Sequence, residues 1–227
     1  MNAENHEIPT LDAKYTIVQK IDLNTWKRRE HFEFFYRNDY PQYNLCANVD
    51  VTRYLDYCRK NGLSFYYAMI FASTQVANSI ENFRYRIRED KQIVLHDTLH
   101  PGFTDMIKGD ACQLFKMVVV EMEVGLHEFV AKAKRISDAQ TNYFGNPVET
   151  RDDLLYITCI PWVSFTSMSH TLRLGSDDAV PRISWGKYFK QADVVLLPFS
   201  VQAHHSFVDG IHIGQYFEQL QSFLNSF

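Results

Sequence analysis

Val194-Val195-Leu196-Leu197-Pro198-Phe199-Ser200-Val201, running through Gln202-Ala203 into His204-His205-Ser206-Phe207-Val208-Asp209-Gly210, is the stretch on which the reading of this chain turns. Its first part is apolar and rich in β-branched residues, the pattern of a buried strand. After it Ile211, Gly214, Phe217, Leu220, Phe223 and Leu224 recur at helical spacing, which predicts a terminal helix. His205 therefore stands where a strand ends and a helix is about to begin. Asp209 is placed to cap that helix, and Gly210 lets the backbone turn tightly. A histidine is the side chain that titrates near neutral pH, so the pattern sets a potential base four residues before a carboxylate better suited to organising the loop than to exchanging protons.

The remainder of the sequence frames that site. With 227 residues, 46% hydrophobic and 15% aromatic, the chain can bury a full core, and 1–227 reads as one domain. A net charge of −4 without a long basic run lacks the electrostatic footprint of a nucleic-acid binder. Met1 to Thr10 is polar, unlike a signal peptide, and no apolar run is long enough to span a membrane. Cys46, Cys58, Cys112 and Cys159 are scattered, as expected of buried free thiols in a reducing cytoplasm. Asp50 is expected to cap a helix through Arg59 that Gly62 ends, and Phe65 to Asn78 is apolar nearly all round, hence a helix packed inside. Ile93 to Leu95 and Phe115 to Val120 read as strands, and Val124 to Ile136 as a helix. Gln140 to Asp153 reads as a loop, and Leu154 to Ser167 and Val194 to Ala203 as core strands. Helices and strands interleave throughout, which predicts an α/β two-layer sandwich with one mixed sheet covered by helices.

Four ordered segments add a resemblance. Trp26-Lys27-Arg28-Arg29-Glu30-His31-Phe32-Glu33-Phe34, Ile160-Pro161-Trp162-Val163-Ser164-Phe165-Thr166-Ser167, Gly186-Lys187-Tyr188 and Pro198 to Gly210 resemble, in order and spacing, the chloramphenicol acetyltransferases. These are trimeric CoA-dependent acyltransferases with the HxxxDG motif. The resemblance covers nearly the whole chain and implies acyl transfer. It implies that His205 is the general base taking the proton of an acceptor hydroxyl as that oxygen attacks acetyl-CoA. It further implies that Asp209 pairs with Arg28 to hold the site together. Thr158 falls where the family has an oxyanion-binding serine, and a donor aimed at that charge is a large term in acyl transfer. Ser184 falls where the family has a water-holding threonine. Trp162, Tyr188 and Tyr66 correspond to an aromatic CoA channel, with Lys187 near pantetheine and phosphates, and Ser64 stands where a second lysine is usual.

The acceptor pocket matches least well. Phe35 stands at the place of an antibiotic-contacting tyrosine, with Tyr36 beside it as a substitute under a one-residue shift. Gln42 and Tyr43 stand where a cysteine or other small residue and an aromatic are common, Thr104 matches a pocket threonine, and Met168 and His170 replace a usual Phe and Leu. Asp105 to Cys112 does not resemble the family's corresponding strand. The resemblance thus implies a cytoplasmic homotrimer, active sites between subunits, no metal, and antibiotic resistance through acetylation of chloramphenicol. Two further readings stand beside it: the same chemistry on another hydroxyl acceptor, and a non-catalytic binding protein with this fold. His204, His205, Asp209 and His212 suit zinc by residue type but not by spacing. No GxSxG nucleophile motif is present, so attack is expected to be direct.

Overall fold

The computed structural model describes residues 18–107, 113–122, 125–145, 151–172, 174 and 177–227. In chain order the first elements are β1 (Val18–Lys20), α1 (Arg29–Tyr36), β2 (Gln42–Asp50), α2 (Thr52–Lys60), α3 (Phe65–Ser79), β3 (Tyr85–Ile87) and β4 (Ile93–His96). Then follow β5 (His100–Met106), β6 (Phe115–Val119), α4 (Leu126–Ala139), β7 (Leu154–Cys159), β8 (Arg182–Trp185), β9 (Phe189–Gln191), β10 (Val194–His204) and α5 (Gly210–Asn225).

β10 is the spine of the larger sheet, whose order is β2-β10-β8-β7-β5-β6, with β9 pairing the start of β10. The sheet is mixed: β5, β7 and β8 run parallel, while β10 is antiparallel to both β2 and β8, and β6 to β5. A second sheet, β1-β4-β3, lies apart from it, so Ile93 to Leu95 belongs to a small sheet and not to the single sheet expected.

Side chains alternate across a strand, and here the alternation separates two unlike faces. Leu197, Phe199, Val201 and Ala203 of β10, Ile183 and Trp185 of β8, and Leu155 and Ile157 of β7 enter the hydrophobic core. That core is dominated by α3, which buries residues all round its circumference, as its composition predicted. The opposite face carries Ser200, Gln202 and His204, then Arg182 and Ser184, then Tyr156 and Thr158. Met168 to His170 and Asp177 to Pro181 lie on this side, held by His170 N–H donating to Gln202 Oε1 at 2.8 Å and by Gln42 Nε2 donating to the Asp178 carbonyl at 2.7 Å. A sheet with helices on one side and polar side chains on the other is what positions the site.

Several boundaries differ from the sequence reading. The strand at Leu154 ends at Cys159, because Pro161 has no N–H to continue a ladder, and residues from Ile160 onward form turns and loop. Asp50 lies one residue before the helix N-cap, Val51, yet its Oδ1 accepts from the Thr52 N–H at 2.9 Å and so still organises the entry. Gly62 adopts φ +65°, where it closes the end of α2 with Leu63 N–H donating to the Cys58 carbonyl at 2.9 Å. Helix α4 begins after Gly125 and runs on to Ala139; Val124, Cys112 and part of the Gln140 to Asp153 loop lie outside the described residues. Of the other cysteines only Cys58 is buried; Cys46 and Cys159 are partly exposed. Among the described residues no helix is long and apolar enough to cross a membrane.

Candidate active site

The His205 loop is fastened from three directions. Phe207 is 1% exposed and packs among Phe32, Tyr85 and Trp26, a burial that stabilises by about 1.5–3 kcal/mol. Ser206 Oγ donates to the Phe32 carbonyl at 3.2 Å, and the His205 N–H donates to the Pro41 carbonyl at 2.8 Å. Arg28, at the N-terminal boundary of α1, supplies the third hold. Its guanidinium meets both Asp209 oxygens at 2.6 Å, and also donates to the Ser206 carbonyl at 2.7 Å and the His205 carbonyl at 3.2 Å. The structure thus brings together the pair that the resemblance implies, and adds two loop carbonyls to it. These bonds from Arg28 hold the Asp209 carboxyl below the usual carboxylate range. Such a fork-to-carboxylate contact fixes geometry as well as charge.

Within this frame the imidazole of His205 lies flat on Phe35, with ring centroids 3.8 Å apart and planes 8° from parallel, while Tyr43 flanks it at 4.6 Å. Tyr36 does not stand in for Phe35: it stacks on Phe32 at 5.1 Å and its hydroxyl donates to Asp177 at 2.6 Å. His205 Nδ1 is buried and comes within 3.4 Å of Asp209 Oδ1 without forming a hydrogen bond. Nε2 has no hydrogen-bond partner among the described residues and is the ring nitrogen left to meet a ligand. Of the neighbouring histidines, His204 Nδ1 accepts from the Ser206 N–H at 3.2 Å and His212 Nδ1 from the Asp209 N–H at 2.9 Å. Burial holds His204 down to about 4, so it is neutral at physiological pH. Among the described residues no group of three or more His, Cys, Asp or Glu is placed to hold a metal ion.

Thr158 and Ser184 form a second group. They sit side by side in the parallel register of β7 and β8, on the polar face, and Ser184 pairs in turn with Ser200 of β10. The Thr158 hydroxyl makes no hydrogen bond among the described residues. Ser184 Oγ lies 2.5 Å from His170 Nε2, and Met168 accepts a long contact from Ser200 Oγ at 3.4 Å. β10 runs four residues beyond Ser200 to His204, roughly 13 Å along the strand at ~3.3 Å per residue, before the turn that carries His205. One chain therefore does not bring His205 and Thr158 together.

The residues expected to meet CoA occupy the rim beyond Thr158. Trp162 is 71% exposed, and Tyr188 meets Phe65 edge-on at 6.2 Å. Their loops are tied by Lys187 N–H donating to the Val163 carbonyl at 2.8 Å and by Ser164 Oγ donating to the Lys187 carbonyl at 2.6 Å. That approach requires Gly186, since a Cβ there would lie 2.4 Å from the Val163 carbonyl oxygen. Lys187 itself is exposed. Tyr66 is more enclosed: its hydroxyl donates to the carbonyl of Thr104 and its ring packs near Trp185 and Phe103.

Sequence reasoning missed an apolar patch next to this group. Met106 and Thr104 of β5 share the polar face with Thr158, and opposite them stand Phe115 and Met117 of β6. Leu114 is 50%, Phe115 47% and Phe144 57% exposed, with the Phe115 and Phe144 rings in edge contact at 6.0 Å. In the sequence Phe115 looks like any strand residue, and only the sheet's pairing order reveals that these side chains face outward beside Thr158. Lys108 to Cys112, in the stretch that departs from the family, lie outside the described residues.

Comparison with known proteins gives the family. The family model described as Chloramphenicol acetyltransferase matches residues 16–221. Chloramphenicol acetyltransferase of Clostridium perfringens is 27% identical over 214 residues, covering 92% of this chain and 100% of that protein. Chloramphenicol acetyltransferase 3 of Escherichia coli is 30% identical over 211 residues, covering 91% and 97%. A solved chloramphenicol acetyltransferase superposes with a TM-score of 0.84 at 27% identity, over 92% of this chain and 100% of that one. The dihydrolipoamide acetyltransferase of Azotobacter vinelandii shares the fold, with a TM-score of 0.64 at 14% identity over 96% and 95%. Fold and family together define an acetyltransferase enzyme. The chain belongs to the chloramphenicol acetyltransferase family.

Proposed function

We propose that this protein, as one domain, is an acetyl-CoA-dependent O-acetyltransferase that acetylates a hydroxyl of chloramphenicol by direct attack. The observation that carries the proposal is the His205 imidazole, held by the Phe35 stack and the Arg28 clamp with Nε2 uncommitted. Nε2 takes the acceptor's hydroxyl proton as its oxygen attacks the thioester carbonyl. The Thr158 hydroxyl donates to the oxygen that gains negative charge, and His205 returns the proton to the departing CoA thiolate. Arg28 and Asp209 act by holding the loop. Trp162, Tyr188 and Lys187 receive the cofactor's pantetheine and phosphates, with Tyr66 behind them. Phe35, Tyr43, Thr104, Met168 and His170 line the acceptor pocket, extended by the patch at Phe115 and Phe144.

The separation of His205 from Thr158 within one chain supports a homotrimer in which one subunit supplies the base and its neighbour supplies Thr158, Ser184 and the apolar patch. Exposed apolar side chains at Phe34, Leu45 and Leu174 fit burial between subunits. Free thiols and use of acetyl-CoA fit a cytoplasmic enzyme conferring antibiotic resistance. A second reading keeps the chemistry and changes the acceptor. It is favoured by the polar His170 in the pocket wall and by Phe35, which offers no hydroxyl. The test is thiol release from acetyl-CoA with chloramphenicol and with a panel of other alcohols, with and without chelator. Rapid release with chloramphenicol, unchanged by chelator, is expected. Release only with another alcohol replaces the acceptor, and release with none overturns the proposal.

A further inference from the structure

His170 Nε2 lies 2.5 Å from Ser184 Oγ, and Ser184 is fully buried. The backbone of His170 is itself anchored, its N–H donating at 2.8 Å to the side chain of Gln202, which is also fully buried. The imidazole is thus fixed against a hydroxyl that stands beside Thr158 in the sheet. We infer that His170 is a positioning residue: its Nε2–H donates to Ser184 Oγ, leaving the Ser184 proton to point toward Thr158 and the reacting carbonyl.

A serine hydroxyl has one proton and two lone pairs, and a neutral imidazole has one N–H and one bare nitrogen, so only two arrangements are open. If Ser184 donated to Nε2, its lone pairs alone would face the carbonyl oxygen and would oppose the charge growing there. With Nε2–H as donor, Ser184 can donate in turn, and a chain of such bonds polarises each member. Burial, reinforced by Arg182, holds His170 down to about 4, so the ring is neutral with a single N–H near pH 7. The assignment rests on the acyl-transfer reading above. It gives Ser184 and His170 one joint task, so that the oxyanion is met by two adjacent hydroxyls of which only Thr158 is unassisted.

Two measurements on the full chain test it. The first needs no turnover: histidine-selective 15N NMR at pH 7, with the His170 signal identified by its loss in His170→Gln, is expected to show the Nε2–H tautomer. An Nδ1–H tautomer or a charged ring overturns the inference. The second is a double-mutant cycle in the acetyl-transfer assay. His170→Leu and Ser184→Ala are each expected to lower kcat about tenfold with KM for acetyl-CoA unchanged, and the double variant to be no worse than about tenfold. His170→Gln keeps an N–H donor and is expected to retain activity within about threefold of wild type. Losses that multiply to roughly a hundredfold, or a KM that rises while kcat holds, would mean that His170 merely packs. Should no acceptor be acetylated, the proposed function fails, while the NMR result still decides the tautomer.

Discussion

At the His205 end of β10 the loop is fastened at several points to the rest of its own chain: Phe207 to the aromatic core, Ser206 to α1, and Asp209 with two carbonyls to Arg28. Around Thr158, on the same sheet, the hydroxyl is unbonded among the described residues, aromatics such as Trp162 and Phe115 are exposed, and His170, held neutral by burial, is committed to Ser184. Under the proposed function the first region is a base awaiting a hydroxyl and the second a set of donors and apolar walls. The difference between them fits two complementary half-sites on one chain, with the tighter fastening where a proton would be moved.

The sharpest way to break this contrast is to remove the base. His205→Ala is expected to lower kcat by about 10²–10⁴-fold while acetyl-CoA binding stays nearly intact. Wild-type turnover in that variant, or a larger loss from His204→Ala, would put the proton transfer elsewhere. Next comes the clamp. The Arg28–Asp209 pair is only partly buried, with side chains 14% and 28% exposed, so its loss falls between the limits for exposed and buried pairs. Asp209→Ala is expected to cost roughly 2–3 kcal/mol of stability, and Arg28→Ala more, since it also releases the Ser206 and His205 carbonyls. Unchanged thermal midpoints in both would show that the loop is held by Phe207 alone.

Thr158→Val sharpens the other side. It removes the hydroxyl at nearly constant volume, so kcat is expected to fall about 10²-fold with little change in either KM, while Thr158→Ser retains activity. Equal activity in both variants would make Thr158 a packing residue. The smallest expected effect concerns His204. Its folded-state pKa is depressed to about 4. The unfolded chain therefore binds the proton first as pH falls from ~6.5, and stability is lost between there and about pH 4. His204→Gln is expected to flatten that decline by on the order of 1–2 kcal/mol, read from thermal midpoints across the range, with His170 and His212, also depressed by burial, contributing slope of the same sign. A wild-type midpoint independent of pH between those values would contradict the burial of a neutral ring.

How legible each half was in the sequence follows from how it is built. The base half is largely contiguous, and its strand, loop and helix announce themselves through β-branched residues, HxxxDG and the apolar stripe of α5. Arg28, far away in sequence, was reachable only through the family resemblance, because no periodicity links position 28 to position 209. The donor half comes from strands that become neighbours only through the sheet order. The apolar run from Leu154 to Ser167 looked like one long strand, since Ile160, Trp162, Val163 and Phe165 carry the same residue types inside a core or on an exposed rim. Phe115 and Phe144 were hidden for the same reason. In the small sheet β4 was read as a strand at Ile93 to Leu95, but its partners β1 and β3 escaped because strands of three residues are too short for a period-two pattern to emerge.

The central claim is that His205 of one subunit serves Thr158 of another, and subunit mixing tests it most directly. His205→Ala and Thr158→Val chains, each nearly inactive alone, are to be unfolded together, refolded as mixed oligomers and assayed for CoA release. If each site is shared across a subunit boundary, random assembly places an intact His205 opposite an intact Thr158 at roughly a quarter of the sites, and activity returns to about that fraction of wild type. Mixed oligomers no more active than the two variants assayed apart would contradict the account and return both residues to a site within one chain.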